Sequence, residues 1–152
     1  MDIEKQYDKI YRFCYYRVHN RETAEDLTQE TFLRFMNGRY EERGEVIRYL
    51  YTIARNLCIE ESRRIKAEEL PADISDEGAG AEGLADRILV RLALDKMTEE
   101  DRELLILRYL NEVSVTDICK ITGISRFSLY RRLNRVKKDF IKLMEGGEVH
   151  EQ

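Results

Sequence analysis

The sequence predicts an all-α protein with two small helical domains that are joined by a flexible acidic linker. Charged residues make up 37% of the 152 residues, and the chain contains one Pro and no Trp. Such a composition lacks the turn residues that strand-rich folds need. Apolar residues recur at three- and four-residue steps, which is typical of amphipathic helices. The only Pro stands in an acidic stretch that divides this helical pattern into two parts.

Three apolar stripes indicate the helices of an N-terminal domain, residues 1–66. The first stripe runs from about residue 3 to residue 18 and ends at the polar residues 19–21. The second runs through Ala24 and Phe35 and stops near Asn37-Gly38, as a helix end would. A third helix is predicted from about Glu45 to Ala67. Three helices suffice for a small domain.

The linker is predicted at residues 67–83, AEELPADISDEGAGAEG. It is rich in acids and small residues, so it cannot bury enough apolar surface to order itself. A second helical domain follows at residues 84–145, with a tail at 146–152. Within it, Thr98 can cap a helix that has Asp101 at its third position.

A helix-turn-helix is predicted within residues 114–140. Ser114 and Ser125 can each cap a helix, and Gly123 stands where the intervening turn needs a positive φ. The second helix buries Leu129 and Val136 on one face. From residue 120 to residue 142 cations dominate although the whole chain has a net charge of −4. Two short helices, a Gly-containing turn and a basic second helix are typical of DNA-binding proteins.

The chemistry of this element follows from the major groove of DNA, which admits one helix. The side chains expected to face bases lie near the start of the second helix: Arg126, Phe127, Ser128, Tyr130 and Arg131. The cations expected to anchor phosphates follow them: Arg132, Arg135, Lys137 and Lys138. The alternative is an amphipathic helix with a solvated cationic face, the usual meaning of a charge run. The capped helix and Gly turn before it favour DNA binding.

Several classes of protein are excluded by what the sequence lacks. Cys14, Cys58 and Cys119 are far apart and form no C-x-x-C pair, so we expect reduced thiols. The two histidines have no partner at ligand spacing, and we expect no metal and no cofactor. Neither a phosphate loop nor a nucleophile motif is present, so we expect no enzyme activity. With no signal peptide and no long apolar stretch, the chain is predicted to be soluble and cytoplasmic, without membrane insertion.

Three blocks resemble a known family in their order along the chain. They are AEDLTQETFLRF at 24–35, RYLYTIARNLCIEESRR at 48–64 and the C-terminal helix-turn-helix. Together they resemble the extracytoplasmic-function (ECF) sigma factors of the sigma-70 family. The resemblance implies an alternative sigma factor that binds core RNA polymerase, recognises −35 and −10 promoter elements and assists promoter melting. The competing interpretation is an autonomous repressor or activator, which would dimerise on paired half-sites.

The resemblance also implies roles for individual residues. The first block matches the polymerase-binding motif at Asp26, Gln29 and Glu30, whose alternative is a solvated first turn. The second block matches the part that opens the −10 element, where suitable residue types are Tyr49, Tyr51, Arg55, Asn56, Arg63 and Arg64. The tyrosines could equally be core residues. The loop at residues 37–44 lies where the family captures a flipped base, but it carries no matching pattern.

The helix-turn-helix departs most from the family, because Phe127 occupies a place where Gly is frequent. The −35 sequence that it reads is therefore not implied. The expected partners are bacterial core RNA polymerase, promoter DNA and an anti-sigma protein that covers the polymerase-binding surfaces. We expect a monomer when the chain is free. The acidic linker should lie away from DNA, whose charge repels it, and toward the basic channels of the polymerase.

Overall fold

The structure, a computed structural model, describes residues 2–38, 45–68 and 84–146, with side chains described for all of these except 65–68 and 84–86. The regular structure of these residues is helical throughout, which confirms the all-α prediction. The α-helices are α1 Ile3–Val18, α2 Arg21–Asn37, α3 Val46–Glu68, α4 Leu84–Asp95, α5 Glu99–Leu105, α6 Val115–Thr122 and α7 Arg126–Met144. Of the predicted linker, residues 69–83 lie outside the described residues, and Ala67 and Glu68 continue α3. Of the loop at 37–44, residues 39–44 lie outside them, and Asn37 and Gly38 end α2.

The N-terminal lobe, α1 to α3, begins each of its first two helices with a side-chain cap. Asp2 accepts a hydrogen bond from the Lys5 backbone N–H at 3.1 Å, and Asn20 accepts one from Thr23 at 2.9 Å. Between these helices His19 adopts the left-handed conformation, with φ at 53°. The polar break predicted at residues 19–21 is therefore the turn that folds α2 back on α1.

The core of this lobe includes aromatic and sulfur-containing side chains. Phe13 and Tyr51 meet edge to face with their ring centroids 5.5 Å apart, and Tyr7 packs against Phe32 at 5.4 Å. Cys14 and Cys58 are fully buried free thiols. The hydrogen bond between their sulfurs, together with burial, raises the pKa of Cys58, so this thiol stays protonated and unreactive.

The C-terminal lobe, α4 to α7, has the three predicted caps. Thr98, Ser114 and Ser125 each accept a hydrogen bond from the backbone N–H three residues later. After α5 the helix widens into a π-helical turn at Ile106–Leu110, where the Asn111 N–H donates to the Ile106 carbonyl at 2.9 Å. This turn brings the side chain of Asn111 to face the N-terminal lobe.

The two lobes pack against each other along α1 and α3, which the sequence did not predict. One hydrophobic core includes Phe13 and Leu50 from the N-terminal lobe together with Leu107 and Ile118 from the C-terminal lobe. A smaller cluster around Leu94 and Val136 receives Tyr16 of α1. The functional surfaces of the two lobes are therefore presented by one continuous body.

Candidate nucleic-acid interface

Helices α6 and α7 are connected by a turn of residues 123–125. Gly123 has φ at +80°, and its N–H donates to the Cys119 carbonyl at 2.8 Å, which ends α6. Ser125 then caps α7. Ile118, Leu129 and Leu133 are buried and hold the two helices together. The start of α7 is thereby held at the surface beside the end of α6.

The predicted base-reading residues occupy the first turns of α7. Phe127 is 79% exposed and Tyr130 is 51% exposed, which are unusual values for such large side chains. Arg131 is exposed, and its Cζ atom lies 6.0 Å from the Phe127 ring centroid. Arg126 instead donates from Nη2 to Thr116 Oγ1 at 2.7 Å, and Ser128 is half-buried. The outward face at this point therefore includes Phe127, Tyr130 and Arg131, beside Arg126, which is exposed as well.

The predicted phosphate anchors differ in how strongly they are already bound. Arg135 donates to both carboxylate oxygens of Asp101, at 2.9 and 3.0 Å, and to Asp139 at 3.3 Å. The hydrogen bonds from Asp101 contribute most to raising the Arg135 pKa. Arg132 makes only a 3.4 Å contact with Glu100, and Lys138 is exposed. Arg135 thus ties α7 to α5, whereas Lys138 projects to solvent.

The predicted −10 residues of α3 fall into an exposed and a buried group. Asn56, Arg63 and Arg64 are exposed, and Arg64 pairs with Glu61 on the same helix. Tyr49 is half-buried, with the Arg48 guanidinium 5.5 Å from its ring centroid. Tyr51 is 1% exposed, and burial raises its pKa to about 12. Of the two tyrosines, Tyr51 is therefore a core residue.

Arg55, the remaining −10 residue, lies in a buried ion cluster that we call the Glu103 cluster: Arg17, Arg55 and Glu103. Glu103 Oε2 lies 2.6 Å from Arg17 Nη1, and Glu103 Oε1 lies 2.7 Å from Arg55 Nε. The side chains of Arg17 and Glu103 are 2% and 7% exposed, whereas that of Arg55 is 31% exposed. One carboxylate of the C-terminal lobe thus binds two cations of the N-terminal lobe.

Further polar contacts connect the lobes around this cluster. Asn111 donates from Nδ2 to the Lys9 carbonyl at 2.8 Å and to Tyr51 Oη at 2.9 Å, and it accepts from Arg12 Nε at 2.8 Å. Both N–H groups and the carbonyl oxygen of its side-chain amide thereby have a partner. At the surface Lys120 binds Glu45 at 3.1 Å, and this hydrogen bond is the largest cause of the lowered Glu45 pKa.

His19 lies where the end of α1 meets α4. Its carbonyl accepts from Arg91 Nη2 at 3.2 Å, and its ring Nε2 lies 2.7 Å from Asp95 Oδ1 without the alignment of a hydrogen bond. Burial outweighs the attraction of Asp95 and lowers the His19 pKa to about 4. The ring is therefore neutral at pH 7.

The predicted polymerase-binding residues lie on one side of α2. Asp26 and Gln29 are exposed, and Glu30 is half-buried and forms a 2.8 Å ion pair with Arg34. Leu33 and Met36, which follow them on the same helix, are 58% and 57% exposed. This side of α2 therefore combines carboxylates with exposed apolar side chains.

Sequence reasoning missed Arg17, Glu103 and Asn111 as interface residues. A signal for Arg17 was present, because it falls on the buried face of α1, three residues after Cys14. Glu103 likewise precedes a run of buried residues. Among the described side chains, no group of three His, Cys, Asp or Glu could hold a metal ion. Within the described ranges, no helix has the length and apolarity needed to cross a membrane.

Two family comparisons match this arrangement of lobes. Residues 3–68 match the Sigma-70 region 2 family, and residues 87–140 match the Sigma-70 region 4 family. The first match covers α1 to α3, and the second covers most of the C-terminal lobe including the turn between α6 and α7.

Individual proteins are similar over most of the chain. SigW of Bacillus subtilis, an ECF RNA polymerase sigma factor, is 32% identical over 89% of this chain and 81% of its own length. The sigma factor YlaC of the same organism is 29% identical over 99% and 95%. BldN of Streptomyces coelicolor, also an ECF sigma factor, is 33% identical, but the chain spans only 48% of its length. The sigma factor RpoE of Bartonella quintana, solved in complex with the anti-sigma factor NepR, has the same fold, with a TM-score of 0.76 at 21% identity over 91% of each chain.

Proposed function

The chain belongs to the ECF sigma factors, which direct bacterial RNA polymerase to particular promoters, and we propose how its residues divide that task. The N-terminal lobe binds core polymerase and the −10 element, and the C-terminal lobe binds the −35 element. The protein acts in the cytoplasm and leaves all chemistry to the polymerase. The observation that carries this proposal is the exposed side of α7, where Phe127, Tyr130 and Arg131 project from a helix held by a turn against α6.

Polymerase binding is proposed for Asp26, Gln29 and Glu30 of α2. Asp26 and Gln29 are exposed and accessible to an Arg-rich partner helix, with which the Asp26 carboxylate can form charge-assisted hydrogen bonds. Glu30 would exchange Arg34, its present partner, for an Arg of that helix. The exposed Leu33 and Met36 beside them supply apolar area to the same contact.

Recognition of the −10 element is proposed for Asn56, Arg63, Arg64 and the exposed part of Tyr49, with Arg55 joining once it leaves Glu103. Cations along a helix can follow the backbone of a separated strand, and an aromatic ring offers a stacking surface for a base. Tyr51 has no part in this role, because it is buried and hydrogen-bonded to Asn111.

Recognition of the −35 element is proposed for α7. Phe127, Tyr130 and Arg131 face the bases, while Arg126, Arg132 and Lys138 flank them and meet phosphates. Ser128 contributes chiefly to the first turn, where its N–H donates to the cap Ser125. Arg135 supports the helix through Asp101, and a phosphate contact would require it to exchange that partner.

The packed lobes suggest how the free protein differs from the initiating one. Arg55 and Glu103 cannot stay paired while Arg55 contacts DNA, so we propose that the lobes separate when the protein binds polymerase. The domains predicted at 1–66 and 84–145, which the predicted linker connects, then act apart. The free protein is a monomer in the packed state. An anti-sigma protein that covers the polymerase-binding side of α2 would hold it inactive, and the complex of the RpoE–NepR pair supports this idea.

The test is a pull-down with core RNA polymerase, followed by run-off transcription from a promoter library. The double variant Asp26→Arg/Glu30→Arg should lose polymerase binding. Glu25→Arg, which reverses one exposed charge on the neighbouring side of α2, is the matched control and should keep it. Polymerase binding with promoter-specific transcripts would support the proposal. No polymerase binding, with tight salt-dependent duplex affinity by a dimer, would replace it with a repressor.

A further inference from the structure

Phe127 presents its ring to solvent at the position on α7 where a groove-binding helix meets base edges. It is the second residue of the helix, directly after Arg126 and the cap Ser125. At 79% exposure it is the most exposed large apolar side chain in the described part of the chain. A single exposed apolar residue is common on protein surfaces. Its surroundings, however, point to a ligand.

The guanidinium of Arg131 lies over this ring. The two residues are four apart on one helix, and Arg131 Cζ is 6.0 Å from the ring centroid, within the range of a cation–π interaction. The contact favours rotamers of Arg131 that keep its guanidinium next to the ring. Arg126, the other cation at the helix start, is drawn back to Thr116 on α6 at 2.7 Å. Phe127 and Arg131 therefore project together as a preassembled apolar and cationic pair.

The chemistry of the pair corresponds to two features of the major groove. An aromatic ring contacts the C5 methyl group of thymine, and a guanidinium donates two hydrogen bonds to the O6 and N7 of guanine. Residues four apart are separated by about 6 Å along a helix, and successive bases by about 3.4 Å. The two side chains thus reach bases about one or two steps apart.

We propose that Phe127 and Arg131 read a thymine and a nearby guanine, within two base pairs of each other, in the −35 element. This inference rests on the proposed function and deepens it, because it names the bases that α7 selects. An apolar groove on a protein partner would fit the ring poorly, since Arg126 and Arg131 flank it and would be desolvated there. Phosphate binding would not use the ring at all.

The test uses the complete sigma factor with core polymerase and the −35 element that the holoenzyme selects from a promoter library. Two analogue promoters remove single atoms or groups: deoxyuridine lacks the thymine methyl, and 7-deazaguanine lacks N7. The variants are Phe127→Ala and Arg131→Ala, both at exposed positions, where substitutions change stability little. Lys142→Ala, which removes an exposed cation in the last turn of α7, is the control.

The wild-type holoenzyme should lose about fourfold in promoter binding on deoxyuridine, the value of one buried methyl group. It should lose about twofold to tenfold on 7-deazaguanine, because one of the two hydrogen bonds of the bidentate pair is removed. Promoter binding by Phe127→Ala should not change on deoxyuridine, and promoter binding by Arg131→Ala should not change on 7-deazaguanine. Lys142→Ala should lose binding on both analogues as the wild type does. The inference is overturned if the selected element contains no such thymine and guanine, or if either variant keeps the wild-type sensitivity to its analogue. In those cases the wild-type holoenzyme still initiates transcription at specific promoters. If the proposed function itself were wrong, the wild type would give no promoter-specific initiation.

Discussion

Replacing Glu103 by Gln should favour separation of the two lobes. The substitution keeps the size of the side chain but removes the charge that binds Arg17 and Arg55. Arg17 has a side chain only 2% exposed, so in the packed state its charge would remain buried without a counter-ion. In the separated state water reaches Arg17. The substitution therefore raises the free energy of the packed state more than that of the separated state.

The magnitude follows mainly from Arg17. Removing one partner of a buried ion pair costs about 3–5 kcal/mol. Arg55 is 31% exposed, and solvent screens its share, so we take the lower end of this range. About 3 kcal/mol corresponds to an increase of roughly a hundredfold in the equilibrium constant for lobe separation.

The assay is single-molecule energy transfer between dyes on the two lobes, followed across a urea series. Cysteines at Glu25 and Lys142, both exposed, place one dye on each lobe in a Cys119→Ser background. Cys14 and Cys58 are buried and should not react. The matched control is Glu100→Gln, which removes an exposed carboxylate from the same helix as Glu103.

Glu103→Gln should show lobe separation at lower urea than wild type, and Glu100→Gln should not. If both variants separate at the wild-type urea concentration, the Glu103 cluster does not hold the lobes together and the reasoning fails. The double variant Arg17→Met/Glu103→Leu removes both buried charges, and it should return the transition toward wild type. A double variant that separates as easily as Glu103→Gln would show that lost packing, rather than an unpaired charge, opens the interface.

Three further predictions concern stability. In the wild type, His19 has a pKa of about 4 in the folded state and an ordinary pKa of 6.5 in the unfolded chain, so the unfolded chain takes up the proton first as the pH falls. The wild type should therefore lose about 1–2 kcal/mol of stability between pH 7 and pH 5. His19→Asn should lose less over this range, as measured by thermal unfolding at each pH. Gly123→Ala should cost about 1 kcal/mol in urea unfolding, because φ is +80° although a Cβ would meet nothing within 4 Å; an unchanged midpoint would mean that the turn relaxes. Asp101→Asn should lower the free energy of unfolding by about 1–2 kcal/mol, a value at the lower end for a charged hydrogen bond because Arg135 is partly exposed. An equal loss in an Arg135→Ala background would show that the two side chains are not coupled.

The helices and their caps could be predicted from the sequence because both depend on local patterns. The apolar periodicity gave the ends of α1 within a residue, and Ser114, Thr98 and Gly123 each have the cap or turn role that their type favours. The exposure of Phe127 and Arg131 also follows from helical spacing relative to Leu129.

The lobe packing could not be predicted, because it depends on partners distant in sequence. Glu103 and Arg17 are 86 residues apart, and nothing local to either indicates the other. The same limit applies to Tyr51, which packs against Phe13 and is hydrogen-bonded to Asn111, 60 residues away in the sequence. The residue types of Arg55 and Arg135 suit DNA, whereas Glu103 and Asp101, which bind them in this structure, lie on another helix.

The π-helical turn at Ile106–Leu110 bears on how the chain can change in length during evolution. A turn of this kind holds one residue more than an α-helical turn of similar rise. Deleting one of its residues would let the helix close regularly, but Asn111, which follows the turn directly, would no longer be placed to reach Tyr51 and Lys9. The deletion would also disturb the C-terminal lobe itself, because Leu107 of this turn packs in one core with Ile118 and Leu129. We therefore expect a chain that loses this residue to lose the Asn111 contacts with the N-terminal lobe as well.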